Sequence, residues 1–309
     1  MSSVWITGGK GFIGRNLAKH LALNQCKVFG IGHGAWVGQA PKNWAYSGWM
    51  QAEINFSNLN HLASENGEPD LIYHLAGGSA VGPSIQKPYE DFQRTVDTTA
   101  KLLEWVRQKS PNTQVIGVSS AAVYGSGHMG SIDEHVHCTP FSPYGYHKSM
   151  LEALFASYRD TYGLKLSVVR LFSVYGPGLE KQLLWDICHK LENTRTNAIL
   201  LHGTGHELRD WLHVKDACDL LWKVAASSEN PEIINGGSGV ATSIEQIAQL
   251  IIDAWGHPYE VSFTGIGRKG DPLSLVADIS KARALNFSPA INIQSGITEV
   301  VQWYKGNSC

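Results

Sequence analysis

The chain has 309 residues and a formal net charge of −2 at pH 7. This length can bury the core of one large domain or two unequal ones, and the small net charge argues against a general binder of nucleic acids or anionic membranes. The five scattered cysteines contain no C-x-x-C pair, so the sequence predicts no disulfide framework and no metal site. Because we find neither a signal peptide nor a run of about 20 apolar residues, we expect a cytoplasmic protein without a membrane span.

The first segment predicts a turn that binds a dinucleotide. Val4–Ile6 is an apolar strand, and Gly8, Gly11 and Gly14 then recur every three residues in TGGKGFIG, where a strand becomes a helix. A glycine permits the tight turn, the next lets the backbone approach a pyrophosphate, and the third lets helix and strand pack closely. A purely structural glycine turn is the alternative. The predicted cofactor contacts here are Gly8, Gly11, Phe12, Ile13 and Gly14.

The second strand, KVFGIGHG at 27–34, bears on which dinucleotide binds. In a site that prefers NAD, an acidic residue at the end of this strand accepts hydrogen bonds from the ribose hydroxyls. Gly32 occupies that place and His33 follows it, so no carboxylate repels a 2′-phosphate and His33 can donate to one. The sequence therefore favours NADP over NAD, although His33 could also be an exposed turn residue.

Further strands end in small or polar residues. A third strand is predicted near 50–54, and a fourth runs from Asp70 into the turn formed by Leu75, Ala76 and Gly77. After a long helix at 88–109, the strand at 114–125 carries Ser119 and Ser120. Ligands bind beyond the carboxyl ends of strands in open α/β sheets. We therefore expect these residues beside the cofactor.

The order of the elements predicts the fold class and the domains. Strands alternate with helices through about residue 175, which indicates an α/β protein with a doubly wound parallel sheet of Rossmann type. Beyond that point the pattern is irregular. We expect a dinucleotide-binding domain at 1–172, to which 210–235 returns, and a smaller mixed α/β substrate-binding domain at 173–209 and 236–309.

Tyr144 and Lys148 lie four residues apart in SPYGYHKSMLE. Ser142 can cap a helix here and Pro143 suits its first turn, so both side chains would share one helix face. A phenol keeps its proton until about pH 10, and a nearby ammonium lowers that pKa. Such a tyrosine could exchange a proton with a sugar or alcohol oxygen. The same spacing also occurs by chance on exposed helices.

Seven segments together resemble the extended short-chain dehydrogenase/reductase family, and more narrowly its nucleotide-sugar epimerases, reductases and dehydratases. They are TGGKGFIG, HLAG, SSAAVYG, PYGYHK, VYGPG, HGTGHELRDWLHVKD and RKGDPLSLVADISKA. The resemblance implies that Tyr144 is the catalytic acid or base, that Lys148 holds the cofactor ribose and lowers the pKa of Tyr144, and that Ser120 bonds the reacting oxygen. Ser119 is the neighbour that could take the place of Ser120.

The resemblance also implies the substrate and the assembly. The substrate would be a nucleoside-diphosphate sugar, contacted by Ser120 and Ser173, with Arg209 and Arg268 on the diphosphate. A guanidinium can hold phosphate oxygens with two bonds, whereas a surface ion pair is the alternative for each arginine. Relatives often form homodimers through the long helix and the helix that carries Tyr144, so a homodimer is expected.

Departures from the family pattern narrow the reaction. Dehydratases carry an acid just after the catalytic hydroxyl, but this chain has Ala121 and Ala122, which cannot move a proton. Thr95 stands where many relatives have Asn, and Ser173 replaces another Asn. The main expectation is an NADPH-dependent reductase of a 4-keto-6-deoxy nucleotide sugar. A nucleotide-sugar 4-epimerase that retains NAD is the alternative, and a non-catalytic dinucleotide sensor is the remote one.

Overall fold

The computed structural model describes residues 2–36, 40–267 and 272–307. Its strands are β1 (Ser3–Thr7), β2 (Lys27–Gly32), β3 (Gly48–Gln51), β4 (Leu71–His74), β5 (Gln114–Ser120), β6 (Ser131–Ile132), β7 (Leu166–Leu171), β8 (Ser173–Tyr175), β9 (Ala198–Leu201), β10 (Leu208–His213), β11 (Ile233–Gly236), β12 (Ala241–Ser243), β13 (Glu260–Phe263) and β14 (Ser274–Ala277). Its α-helices are α1 (Phe12–Leu23), α2 (Ala40–Asn43), α3 (Phe56–Asn66), α4 (Val81–Gln86), α5 (Pro88–Phe92), α6 (Thr98–Lys109), α7 (Pro143–Tyr162), α8 (Gln182–Asn193), α9 (Val214–Ala226), α10 (Ile244–Trp255), α11 (Ser280–Ala284) and α12 (Ile293–Asn307).

Seven strands form one parallel sheet in the order β3, β2, β1, β4, β5, β7, β11. The chain moves outward from β1 to β3 and then crosses back to β4, so the direction of winding changes between β1 and β4. Such a point opens a crevice at the carboxyl ends of the strands. This topology confirms the predicted doubly wound α/β sheet. The chain returns to it through α9 and β11.

Side chains alternate along each strand, so both faces of this sheet carry apolar residues, and helices cover both faces. Val4 and Ile6 pack into a core with residues of α1 and α9. Trp5 points to the other face, where it joins a core with residues of α3, α6 and α7 and stacks on Trp105 at 5.3 Å between ring centroids. The apolar run of β1 is therefore buried on both sides.

A smaller mixed α/β portion follows. In it, β12, β10, β14 and β6 pair in that order, and β8 pairs with β10. A separate pair joins β9 and β13, and α8, α10 and α12 enclose a third core that includes Ile187, Ile251 and Val301. This confirms the smaller mixed portion that the sequence predicted. None of the helices in the described ranges is long and apolar enough to cross a bilayer.

Three elements differ from the sequence predictions. The strand predicted over 114–125 ends at Ser120 and is followed by a 3-10 turn at Ala121–Val123. The third strand covers 48–51 rather than 50–54. The helix predicted over 88–109 is divided by a π-helical turn at Gln93–Asp97. Threonine hydroxyls bond backbone carbonyls around this turn, from Thr98 to Arg94 at 2.6 Å and from Thr99 to Thr95 at 2.5 Å. Such bonds to a carbonyl four residues earlier compete with the helical pattern and bend helices.

Candidate active site

A cleft of about 1170 Å³ lies at the carboxyl ends of the large sheet, between the sheet and the smaller portion. Ligand pockets usually have volumes of about 300–1,000 Å³, so this one has room for two ligands side by side. The predicted site residues that line it are Gly8, Gly11, Phe12, Ile13, Gly14, Gly32, His33, Leu75, Ala76, Gly77, Ser119, Ser120, Tyr144, Lys148, Ser173 and Arg209. Arg268 lies outside the described residues.

The glycine turn fits a dinucleotide pyrophosphate. Gly8 has a φ of +67°, and a β-carbon there would lie 2.8 Å from the Ala76 nitrogen. A β-carbon on Gly14 would lie 2.7 Å from the Cα of Gly9, so helix and turn pack backbone to backbone. Helix α1 begins directly after Gly11, and its first N–H groups have no intrahelical partner. A helix N-terminus approached over small residues is the usual site for a phosphate.

Helix α7 presents Tyr144 and Lys148 to the cleft. Ser142 caps the helix by accepting a hydrogen bond from the Gly145 nitrogen at 3.2 Å. The Lys148 ammonium lies 5.9 Å from the centroid of the Tyr144 ring and donates to the Val118 carbonyl at 2.9 Å. The predicted juxtaposition of the two side chains on one helix face is therefore present.

The acid–base state of this pair differs from the prediction. Burial raises the pKa of the Tyr144 phenol, and the nearby Asp91 carboxylate raises it further, although a hydrogen bond with Ser120 acts in the opposite direction. The sequence predicted that the ammonium would lower this pKa, whereas burial acts in the opposite direction and the net shift of the Tyr144 pKa is upward. Burial also lowers the pKa of Lys148 to about 8, against the attraction of Asp91 and Glu152. At neutral pH the phenol therefore holds its proton.

The two adjacent serines have different partners. The Ser119 hydroxyl donates to Glu152 at 2.5 Å, and Glu152 forms two hydrogen bonds with Arg170, at 3.0 and 2.7 Å. Ser120 accepts from the Ala122 nitrogen at 3.2 Å and bonds the Tyr144 phenol. The geometry therefore favours Ser120 over Ser119 as the hydroxyl beside the reacting group.

Two polar side chains near the cleft support its walls. Thr95 is fully buried, and its hydroxyl accepts from the Gly78 nitrogen at 2.8 Å. His74 is also fully buried, and its ring nitrogens bond the hydroxyls of Thr7 at 2.8 Å and Thr99 at 2.9 Å. Burial lowers the pKa of His74 to about 3. The His74 contacts tie β1, β4 and α6 together and occupy both of its ring nitrogens.

Lys10 and Lys181 line the cleft, and neither of them was singled out from the sequence. Lys10 lies within the glycine turn, and its ammonium donates to the Ala35 carbonyl at 2.7 Å, which places it over the end of β2. Lys181 reaches across the cleft and donates to the Ser79 hydroxyl at 2.8 Å. A basic residue between two phosphate-turn glycines was a usable signal for Lys10. Lys181 follows an irregular segment and gave no such signal.

The fold and the cleft define a class of protein. A doubly wound sheet with a phosphate turn after β1 is a dinucleotide-binding fold, and the Tyr144–Lys148 pair faces its crevice. Residues 4–237 match the model of the NAD dependent epimerase/dehydratase family. The chain belongs to this family, as its sequence motifs indicated.

Relatives of similar length carry two kinds of activity. The chain is 27% identical to a putative UDP-glucose 4-epimerase of Methanocaldococcus jannaschii, covering 99% of both chains. It is 28% identical to a dTDP-glucose 4,6-dehydratase of Streptomyces antibioticus, over 98% of this chain and 92% of the other. It also resembles the crystal structure of UDP-glucuronic acid 4-epimerase from Bacillus cereus in complex with UDP-glucuronic acid and NAD, with a TM-score of 0.87, 26% identity and coverage of 98% and 99%.

Proposed function

We propose that this protein is an NAD(P)(H)-dependent enzyme acting at C4 of a nucleoside-diphosphate sugar, and that it reduces a 4-keto-6-deoxy sugar nucleotide. The observation that carries the general reaction is the arrangement of Tyr144, Lys148 and Ser120 in one cleft with a phosphate turn. Membership of the family and the activities of full-length relatives support an enzyme of this kind.

Tyr144, Ser120 and Lys148 together can transfer a proton to or from the C4 oxygen. The bound nicotinamide supplies or accepts the hydride. Tyr144, which is protonated at neutral pH, donates its proton as negative charge develops on the C4 oxygen. The Ser120 hydroxyl hydrogen-bonds both the C4 oxygen and the Tyr144 phenol. Lys148 stabilises the phenolate and holds the cofactor ribose. In the reverse step, oxidation at C4, Tyr144 acts as the base and accepts the proton of the C4 hydroxyl.

The reductase assignment depends on one corner of the cleft, at the end of β2, which is formed by Gly32, His33 and Lys10. β2 ends at Gly32, His33 follows it, and the Lys10 ammonium lies over the same corner. A 2′-phosphate is stabilised by cationic donors and repelled by a carboxylate. This corner supports NADPH, the reductant that a ketoreductase consumes and releases in each cycle.

A 4-epimerase is the second candidate, favoured by the relatives that carry this name and by the NAD-bound epimerase structure. It would use the same three side chains twice, once for oxidation and once for reduction. A 4,6-dehydratase is disfavoured because Ala121 and Ala122 follow Ser120 and offer no proton donor. A non-catalytic sensor would bind the dinucleotide without needing an acid or base such as the cleft-facing Tyr144.

The substrate diphosphate is proposed to bind across the cleft from the glycine turn. Arg209 and Lys181 line the cleft, and each presents a cationic group that suits phosphate oxygens. The Arg209 guanidinium donates to the carbonyls of Leu208 at 2.8 Å and Pro272 at 2.9 Å, so the backbone orients it. In this proposal, 173–209 and 236–309 form the substrate-binding domain, whereas 1–172 and 210–235 hold the cofactor.

A homodimer through α5, α6 and α7 is part of the proposal. Large apolar side chains are exposed on α5 and α7, which pack against each other. Tyr89 and Tyr146 are 71% and 53% exposed, and Phe92 and Met150 adjoin them at 36% and 44%. Clustered exposed apolar side chains of this kind commonly mark a protein interface.

One assay separates the two reactions. Purified protein is mixed with NADPH and a dTDP-4-keto-6-deoxyhexose while absorbance at 340 nm is followed, and in parallel with UDP-glucose and UDP-N-acetylglucosamine without added cofactor. We expect stoichiometric NADPH oxidation in the first mixture. Epimerised product from tightly bound NAD, with no NADPH consumption, would establish the epimerase instead. Activity in neither mixture would contradict chemistry at C4 of these sugars.

A further inference from the structure

A buried pair of titratable side chains joins the Tyr144 helix to the neighbouring helix α5. The imidazole Nδ1 of His147 lies 2.5 Å from a carboxylate oxygen of Asp91. Asp91 is 7% exposed and His147 is 9% exposed, and the Phe92 ring closes over the imidazole at 5.6 Å between ring centroids. Nothing in the proposed chemistry uses either group. The burial of this pair therefore requires a separate functional explanation.

Asp91 also contacts the turn that borders the cleft. A β-carbon on Gly78 would overlap the other oxygen of the Asp91 carboxylate. The Asp91 side chain therefore rests against the backbone of the 77–79 turn while its far oxygen meets His147. His147 directly precedes Lys148 and lies one turn after Tyr144. The pair thus bridges two walls of the cleft, the turn after β4 and the helix α7.

The Asp91 charge acts directly on the proposed catalytic groups. It raises the pKa of Tyr144 and favours the ammonium of Lys148. Glu152 of α7 also acts on Lys148, but Arg170 of β7 neutralises it through two hydrogen bonds, and His74 of β4 is held uncharged by burial. Lys87 and Arg94 both pair with Glu90 at the surface beside α5. Asp91 is the carboxylate whose charge acts on Tyr144, and the side chain that pairs with it is the His147 imidazole rather than an arginine.

We propose that Asp91 and His147 are positioning residues, which hold the 77–79 turn against α7 and fix a buried carboxylate against the part of α7 that carries Tyr144 and Lys148. The inference depends on the proposed role of Tyr144 as proton donor. His147 fixes the Asp91 side chain in place, and Asp91 supplies the charge. In this way the chain opposes the effect of the Lys148 ammonium, which favours loss of the same proton.

Direct titration of Tyr144 tests this without any substrate. The protein is labelled with [¹³Cζ]tyrosine, and the Tyr144 resonance is assigned by its loss in Tyr144→Phe. Titration midpoints are compared for the wild type, Asp91→Asn and His147→Gln. Glu104→Gln is the matched control, because Glu104 also bridges a neighbouring helix to α7, accepting from the Tyr158 hydroxyl at 3.2 Å, but far from Tyr144.

Charge and packing give different results in these variants. Asp91→Asn removes the charge and keeps the shape, so we expect the Tyr144 midpoint to fall by about half a pH unit or more. His147→Gln keeps the charge, so the midpoint should stay at the wild-type value or rise. Glu104→Gln should leave it unchanged. Equal falls in Asp91→Asn and His147→Gln would show that entry of water, not the charge, is responsible, and that result overturns the proposal.

Kinetics then connect the pair to turnover. In Asp91→Asn the alkaline limb of the kcat profile should move to lower pH, because the Asp91 charge favours both the protonated Tyr144 phenol and the Lys148 ammonium. An unchanged midpoint in a folded Asp91→Asn variant would refute the inference while leaving the proposed function intact. Full turnover in Tyr144→Phe would refute the proposed function instead, whatever the titrations give. If Asp91→Asn does not fold, a fallen midpoint in His147→Gln alone contradicts the proposal.

Discussion

The burial of Lys148 serves its proposed catalytic role but lowers the stability of the folded protein. Its side chain is 4% exposed, and the pKa falls to about 8 because burial disfavours the ammonium. The folded protein therefore binds this proton less tightly than the unfolded chain does. Between about pH 8 and 10.5 the unfolded state carries more protons, so stability rises with pH through that window. At neutral pH the buried charge costs free energy that a neutral side chain would not cost.

We predict that Lys148→Met is inactive yet more stable than the wild type. Each pKa unit corresponds to about 1.4 kcal/mol, and the lost hydrogen bond to Val118 offsets part of the gain. The expected increase in unfolding free energy is about 1 kcal/mol at pH 7, measured by urea denaturation. The difference should shrink between pH 8 and 10. A less stable variant at pH 7 would mean that the ammonium is a net stabilising group.

Gly32 offers a direct test of cofactor selection. A β-carbon there would meet its nearest neighbour, Trp49, at 3.5 Å, which is ordinary contact, so the site can accept a side chain. We predict that Gly32→Asp weakens NADPH binding tenfold or more relative to NADH, because a carboxylate beside the 2′-phosphate costs about 1.4 kcal/mol or more. Dissociation constants from cofactor fluorescence measure this. Gly32→Ala is the uncharged control, and an unchanged NADPH/NADH ratio in Gly32→Asp would contradict the assignment.

At the scale of elements, the turn after β4 is fitted to its neighbours. Gly78 leaves room for Asp91, and its nitrogen donates to Thr95 at 2.8 Å. The neighbouring short helix α4 contains Gly82, which faces open space. Two glycines four residues apart therefore have opposite roles, because only the first is packed against another element.

Gly78→Ala should destabilise the protein by about 2 kcal/mol or more, because the methyl group must displace a carboxylate that is held by His147. Cofactor affinity should fall with it, since the turn borders the cleft. Gly82→Ala is the control, and we expect it to be neutral or to stabilise by up to about 1 kcal/mol, as alanine favours helix. Thermal unfolding measures both. Equal stabilities in the two variants would show that Asp91 does not need this space.

The sequence predicted the elements that line the cofactor half of the cleft from pattern and glycine position. The strands at 3–7, 71–74 and 114–120 and the capped helix at 143–162 follow from apolar runs, turn residues and a serine cap. The π-helical turn at 93–97 was not predictable, because it depends on hydroxyl–carbonyl bonds that compete with an otherwise regular helical pattern. The burial of Lys148 and the partial burial of Tyr144 had no local signal either, so the net rise in the pKa of Tyr144 was not predicted. Contacts between residues far apart in the sequence, such as Asp91 with His147, leave no local pattern from which they could be predicted.

For the whole molecule, the proposed dimer predicts the effect of a charge on the apolar surface of α5 and α7. Met150 is 44% exposed on that surface, whereas Met129 is 91% exposed on a loop elsewhere. We expect Met150→Glu to shift the protein from dimer to monomer, because burying an unpaired carboxylate in an interface is costly. Met129→Glu should remain dimeric. Sedimentation velocity distinguishes these results, and a monomeric wild type or a dimeric Met150→Glu variant would contradict this interface.

The central claim is that Tyr144 exchanges the proton at C4 beside a bound dinucleotide. Tyr144→Phe keeps the ring and removes the hydroxyl, so the cleft should retain its shape and its cofactor affinity. The deciding measurement is the single-turnover rate of hydride transfer at 340 nm in the wild type and Tyr144→Phe, with cofactor dissociation constants for both. The account predicts a loss of 10²-fold or more in the rate, a typical contribution from acid–base catalysis, with the dissociation constant unchanged. An undiminished rate in Tyr144→Phe would contradict it.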